Sequence, residues 1–125
     1  MVIHHTITTN VAELSWQDDF ILIKFIQSDA AFDLEEAKRQ YEAAKSLVNG
    51  EKYRVLIDVR DVSVSPEKEA QEFLSKVEEK IAEAILVNNL ATRIISQYYI
   101  TKNERSPVKI FTKKHKAIKW LKAQG

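Results

Sequence analysis

The chain contains no cysteine, which removes disulfide staples, thiolate metal sites and thiol nucleophiles from consideration. Only two glycines and two prolines punctuate its 125 residues. With no Ser/Gly-rich linker and no repeat, residues 1–125 read as a single domain, long enough to bury a core without staples. No apolar run approaches the roughly 18–20 residues needed to cross a bilayer. The opening MVIHHTITTN lacks a basic stretch followed by an apolar one, so no signal peptide is expected and a cytoplasmic location is the default. Neither a phosphate-cradling loop nor a Gly-x-Ser-x-Gly elbow is present.

Acids are scarce at one end. Residues 88–125 carry nine Lys/Arg and a single acid, Glu104, whereas residues 1–87 carry ten Lys/Arg and seventeen Asp/Glu. The net charge of +1 therefore hides two halves of opposite sign. The basic end invites an anionic partner, but the simpler reading sets the two halves against each other within one domain or across a homodimer. Nucleic acid is not an expected partner, because the total is near neutral and no aromatic–basic stacking pattern occurs.

What is present is an alternation of apolar strands and amphipathic helices. Residues 2–9 and 12–18 are short strand candidates that form a leading antiparallel ribbon, and FILIKFIQ (20–27) is a strand rich in β-branched residues. Asp33 caps the next helix with Glu36 at capping-box spacing, and Leu34, Ala37, Tyr41, Ala44 and Val48 mark one apolar face. Gly50 stands where a left-handed residue ends a helix. YRVLIDV (53–59) is a strand, 66–79 a helix, AEAILVN (82–88) a strand and NLATRIISQYYI (89–100) a helix. In that helix Leu90, Ala91, Ile94, Ile95 and Tyr98 share a face. VKIFT (108–112) is the last strand and residues 113–123 the last helix. This order predicts an α/β fold with a mixed, mainly parallel sheet of five to six strands and four helices.

Ser65, followed by Pro66 and Glu67, has the pattern of a helix N-cap, with proline in the first helical position and an acid in the first turn. The cap accounts for Ser65 without catalysis. A phosphate on Ser65 would also be well received by free backbone N–H groups.

The run VLIDVRDVSV, then AILVNNLATRIISQYYI, then VKIFTKKHKAIKWL resembles the STAS/SpoIIAA-like group, the fold of bacterial anti-sigma-factor antagonists. The resemblance covers nearly the whole chain and is nearest to small uncharacterised bacterial STAS-like proteins. It implies a non-enzymatic regulatory or protein-interaction module with an unknown protein partner. Members that act as phospho-switches carry an Asp-Ser-Ser-Gly-like element after the hydrophobic-Asp-hydrophobic strand. With Asp58 aligned to that acid, Pro66–Glu69 occupy the element's place and Glu67 its phosphoacceptor slot, so a kinase-regulated switch of that kind is not expected.

Other constellations are weaker. His4 and His5 are adjacent, so on a strand they point to opposite faces, and no carboxylate accompanies them; neither a metal site nor another cofactor is expected. Asp58 and Asp61 have the residue types of a general base or Mg²⁺ pair, but loop capping is the simpler reading. Lys113, Lys114 and His115 fill the first turn of the last helix, behind the expected cap Thr112, where acids are preferred. They make an anion-attracting spot, tolerated because Ala117, Ile118, Trp120 and Leu121 dock the helix.

In an open α/β sheet the working surface lies at the carboxyl ends of the strands. The candidate interaction rim is accordingly Asp58, Asp61, Ser63, Ser65, Glu67, Asn88, Asn89, Thr112, Lys113 and Lys114. The alternative is a small-molecule or lipid-binding domain, because STAS-like sheets are similar in fold to CRAL-TRIO domains. Trp16, Phe20, Phe25, Phe32, Phe73, Tyr98 and Tyr99 would then line a cavity. A hydrolase would instead need Asp58, Ser63 and a histidine within hydrogen-bond reach. Charge-opposite halves and an exposed edge strand favour a homodimer.

Overall fold

A computed structural model describes residues 5–103 and 105–125. His4, Glu104 and the start of the first strand candidate lie outside them. Along the chain run β1 (Thr6–Thr8), β2 (Ala12–Trp16), β3 (Ile21–Phe25), α1 (Leu34–Leu47), β4 (Tyr53–Asp58), α2 (Lys68–Ser75), β5 (Lys80–Leu86), α3 (Leu90–Lys102), β6 (Val108–Phe111) and α4 (Lys114–Lys122). The strands pair in sequence order. The first two pairings are antiparallel, giving the expected ribbon, and β3 through β6 are parallel.

Parallel strands that advance in one direction send right-handed crossovers to one face, so α1, α2 and α3 share a side. There Ala37, Ala44 and Ala70 pack with Tyr53 and Val55, and Tyr99 packs with Ile57 and Ile85. On the opposite side Ala117 and Leu121 of α4 meet Leu56, Ala82, Ala84 and Leu86. Small residues on both partners let α4 lie close against β4 and β5.

Local chemistry sets the helix ends. Asp33 caps α1, its Oδ1 accepting the Glu36 N–H at 2.9 Å. The Glu36 carboxylate does not return to Asp33 as a full capping box would. It is fully buried and accepts from Thr9 Oγ1, the Asn10 N–H, Arg39 Nε and Gln40 Nε2, tying the β1–β2 turn to α1. After α1, Asn49 and Gly50 take φ values of 54° and 77°, and the Gly50 N–H donates to the Lys45 carbonyl.

Three expectations are corrected. Ser65 is not a cap: α2 begins two residues later than predicted, with Glu67 at the cap position and no side-chain hydrogen bond there. The Glu67 N–H is held by the Phe32 carbonyl at 2.9 Å, which keeps the chain extended through Pro66. Thr112 likewise precedes the cap of α4, where Lys113 stands without a capping side chain. The apolar stripe of α3 does share a face, but Leu90, Ala91, Ile94 and Tyr98 are exposed and only Ile95 is half-buried. The inward face is instead Thr92, Ser96 and Tyr99.

Candidate functional site

The loop after β4 alternates as a strand would. From Asp61 to Glu67 the odd-numbered residues are exposed, while Val62, Val64 and Pro66 are half-buried against the core. The result is a solvent-facing row of Asp61, Ser63, Ser65 and Glu67 along the carboxyl ends of the strands.

Asp58, at the end of β4, is buried. Arg60 folds back on it, with Nε 3.1 Å from Oδ1, Nη2 2.9 Å from Oδ2 and its own N–H 3.0 Å from Oδ1. Burial raises the Asp58 pKa, but the Arg60 hydrogen bonds, the Arg60 charge and Lys24 across the β3–β4 register outweigh it, and the net shift is downward. The same pair raises the Arg60 pKa. A carboxylate engaged in this way is a poor general base, and among the described residues neither Ser63 nor a histidine is a hydrogen-bond partner of Asp58.

Asp61 adopts a left-handed φ of 65° and forms a reciprocal pair with Asn88. Its N–H donates to Asn88 Oδ1 at 3.2 Å, and Asn88 Nδ2 donates to Asp61 Oδ1 at 2.7 Å. This pair joins the β4–α2 loop to the β5–α3 turn. Beside it Asn89 caps α3, its Oδ1 accepting the Thr92 N–H at 2.9 Å. Thr112, Lys113 and Lys114 extend the rim beyond β6, all exposed.

Of the rim residues the structure joins Asp61 to Asn88 and sets Asn88, Asn89 and Thr112 around one cleft; Asp58 is engaged by Arg60 and not by another rim residue. An open cleft of about 470 Å³, lined by Val87, Asn88, Asn89, Leu90, Arg93 and Thr112, lies between the β5 and β6 ends. Leu90 carries the cleft onto the exposed face of α3. Among the described residues no group of three or more His, Asp or Glu side chains is placed to hold a metal ion. No helix of the described residues is long and apolar enough to cross a membrane.

Of the aromatic residues proposed to line a cavity, Phe25, Phe32 and Tyr99 do so; Trp16, Phe20, Phe73 and Tyr98 do not. The cavity measures about 100 Å³, below the roughly 300–1,000 Å³ of pockets that enclose drug-sized ligands.

Sequence reasoning missed the polar cluster at the cavity wall. Lys80 Nζ lies 2.7 Å from Glu83 Oε1, 3.0 Å from the Tyr99 hydroxyl and 2.7 Å from the Leu74 carbonyl. Tyr99 donates toward Glu83 in turn, and Asn103 Nδ2 completes the carboxylate at 2.8 Å. Burial and the Glu83 charge push the Tyr99 hydroxyl pKa well above its ordinary value.

Comparison with known proteins is consistent with this architecture. A family model described as a domain of unknown function, DUF7793, matches residues 15–124. Among solved structures, this chain is similar to an uncharacterised protein of the DUF3478 family with a SpoIIAA-like fold from Shewanella loihica PV-4. That likeness has a TM-score of 0.62 at 17% identity and covers 97% of each chain. At that identity the match shows the fold alone, which is SpoIIAA-like. No curated protein matches the sequence.

Proposed function

This chain belongs to the DUF7793 family, and we propose that it is a non-enzymatic protein-interaction module whose binding surface joins the strand-end rim to the outer face of α3. The observation that carries this reading is the exposure of Leu90, Ile94 and Tyr98, at 72%, 55% and 50%. These are the large apolar side chains left open among the described residues. Four residues apart, they form one stripe that starts at the rim cleft. Contiguous exposed apolar surface beside polar groups marks interaction sites.

The charge around the stripe indicates the partner's chemistry. Helix α3 carries Arg93 and Lys102 and no acid. Lys102 Nζ lies 5.3 Å from the centre of the Tyr98 ring. A complementary segment presents apolar side chains at helical spacing flanked by carboxylates. A homodimer packed α3 on α3 would instead bring Arg93 and Lys102 of two copies together, which counts against that arrangement.

With Asp58 aligned to the strand acid of SpoIIAA-like switches, the carboxyl side chain of Glu67 falls at the slot where those switches take a phosphate. The reading is therefore a constitutive binder rather than a kinase-controlled one.

Comparing baits tests the proposal. Proteins retained from native-host extract by the wild-type chain are expected to be lost from Ile94→Asp and Leu90→Asp baits and kept by Lys38→Ala, on the far side of α1. Binding is then repeated with the purified partner, whose contact segment is expected to be acidic and amphipathic. A partner equally retained by all four baits contradicts the reading.

A further inference from the structure

We propose that the cavity beneath α2 is a binding site for a small hydroxylated hydrophobe, a molecule of single-ring size whose one hydroxyl donates to Gln71 Oε1. This site is separate from the interaction surface and does not rest on it.

The cavity exists because of how α2 is mounted. This eight-residue helix packs between α1 and α3, whereas α4 on the opposite side lies directly on β4, β5 and β6. Below α2 the sheet presents Tyr53, Val55, Ile57 and Ile85, bulky residues that hold the helix away from the strands. The remaining space, about 100 Å³, has walls that are overwhelmingly apolar. An enclosed apolar cavity of about 150 Å³ accepts benzene, so in this smaller, partly open space a single ring is the upper limit of size. A lipid acyl chain is too large for it.

The polar atoms on the wall are mostly satisfied. Lys80, Glu83 and Tyr99 bond to one another, Ser96 Oγ donates to the Thr92 carbonyl, and Thr92 Oγ1 lies within reach of the Asn89 carbonyl and Oδ1. The hydroxyls of Tyr41 and Tyr53, which line the same wall, lie outside this network, and Gln71 is not fully satisfied. Its Nε2 donates to the Pro66 carbonyl at 3.0 Å, which fixes the amide orientation. Its Oε1 is buried with no hydrogen-bond partner among the described residues. An unmet buried acceptor is unfavourable, and a donor arriving with an apolar body removes the penalty. Apolar walls with a buried free acceptor favour a hydroxyl or N–H carried on a small hydrophobic frame. Charged or polyhydroxylated ligands would leave their other polar groups unpaired.

The test uses phenol and benzene as paired probes, titrated into the ¹⁵N-labelled chain and into Gln71→Leu and Ala44→Leu. Ala44 lines the cavity and is buried, so leucine there extends into the space. In the wild type both probes are expected to give saturable amide shifts confined to the residues around the cavity, phenol at least about threefold tighter. Gln71→Leu is expected to erase that preference while keeping benzene affinity, and Ala44→Leu to abolish both. Should Ala44→Leu give a spectrum without native dispersion, the Gln71→Leu comparison decides alone. Failure of phenol to saturate, equal wild-type affinity for the two probes, or a preference that survives Gln71→Leu overturns the assignment.

Discussion

Lys80 and Glu83 lie on the same face of β5, Nζ 2.7 Å from Oε1, although they are three residues apart in a strand. A regular strand sends residues at odd spacing to opposite faces. The register between β4 and β5 slips between Tyr53 and Arg54, whose partners are Lys80 and Ala82. The extra residue, Ile81, turns Lys80 back toward α3. An ion pair buried to 6% and 2% side-chain exposure results, closed by Tyr99 and Asn103.

Breaking that pair on one side should be costly. Lys80→Met leaves the Glu83 carboxylate buried without its cation, and a loss of about 3–5 kcal/mol in unfolding free energy is expected. Adding Glu83→Gln should restore part of it, since glutamine still accepts from Tyr99. Urea denaturation of the single and double variants measures both.

The helix caps rank differently from the sequence pattern. Asp33→Ala and Asn89→Ala each remove a side chain that accepts an N–H in the first turn, and each should cost about 1 kcal/mol. Ser65→Ala removes only an exposed hydroxyl outside the helix and should change stability by less than about 0.5 kcal/mol. Thermal or urea melts of the three variants read the order directly.

Acid should weaken the Asp58–Arg60 pair. The Asp58 pKa is lower in the folded chain than in the unfolded one. Its contribution is therefore fully present above the unfolded value near 3.9 and lost as pH falls through the folded value. In Arg60→Ala the side-chain hydrogen bonds and charge are lost while burial, the backbone N–H and Lys24 remain, so the Asp58 pKa rises and the contribution of this group shrinks. Urea midpoints at successive pH values should show the wild-type advantage over Arg60→Ala largest near neutrality and shrinking below about pH 4.

How much of this was legible depended on which signals are local. The order of strands and helices follows from short-range patterning, and Asp33, Gly50 and Asn89 act where their chemistry places them. The row from Asp61 to Glu67 is visible as alternation in DVSVSPE, yet Ser-Pro-Glu also fits a helix start. A distant hydrogen bond from the Glu67 N–H to the Phe32 carbonyl decided between them. Periodicity grouped Leu90, Ile94 and Tyr98 on one face of α3 but could not say which face turns inward. The Tyr99 bond to Glu83 did that, and Glu83 shares a face with Lys80 only because of a bulge that leaves no mark in the sequence.

Where α3 meets another protein is the central claim, and photo-crosslinking from position 94 tests it most directly. A benzophenone side chain replacing Ile94 in native-host cells should yield adducts to an acid-flanked amphipathic segment of another protein, with few from the same group at Lys38. Equal adducts from both positions, or adducts at position 94 only to a second copy of this chain, would contradict the account.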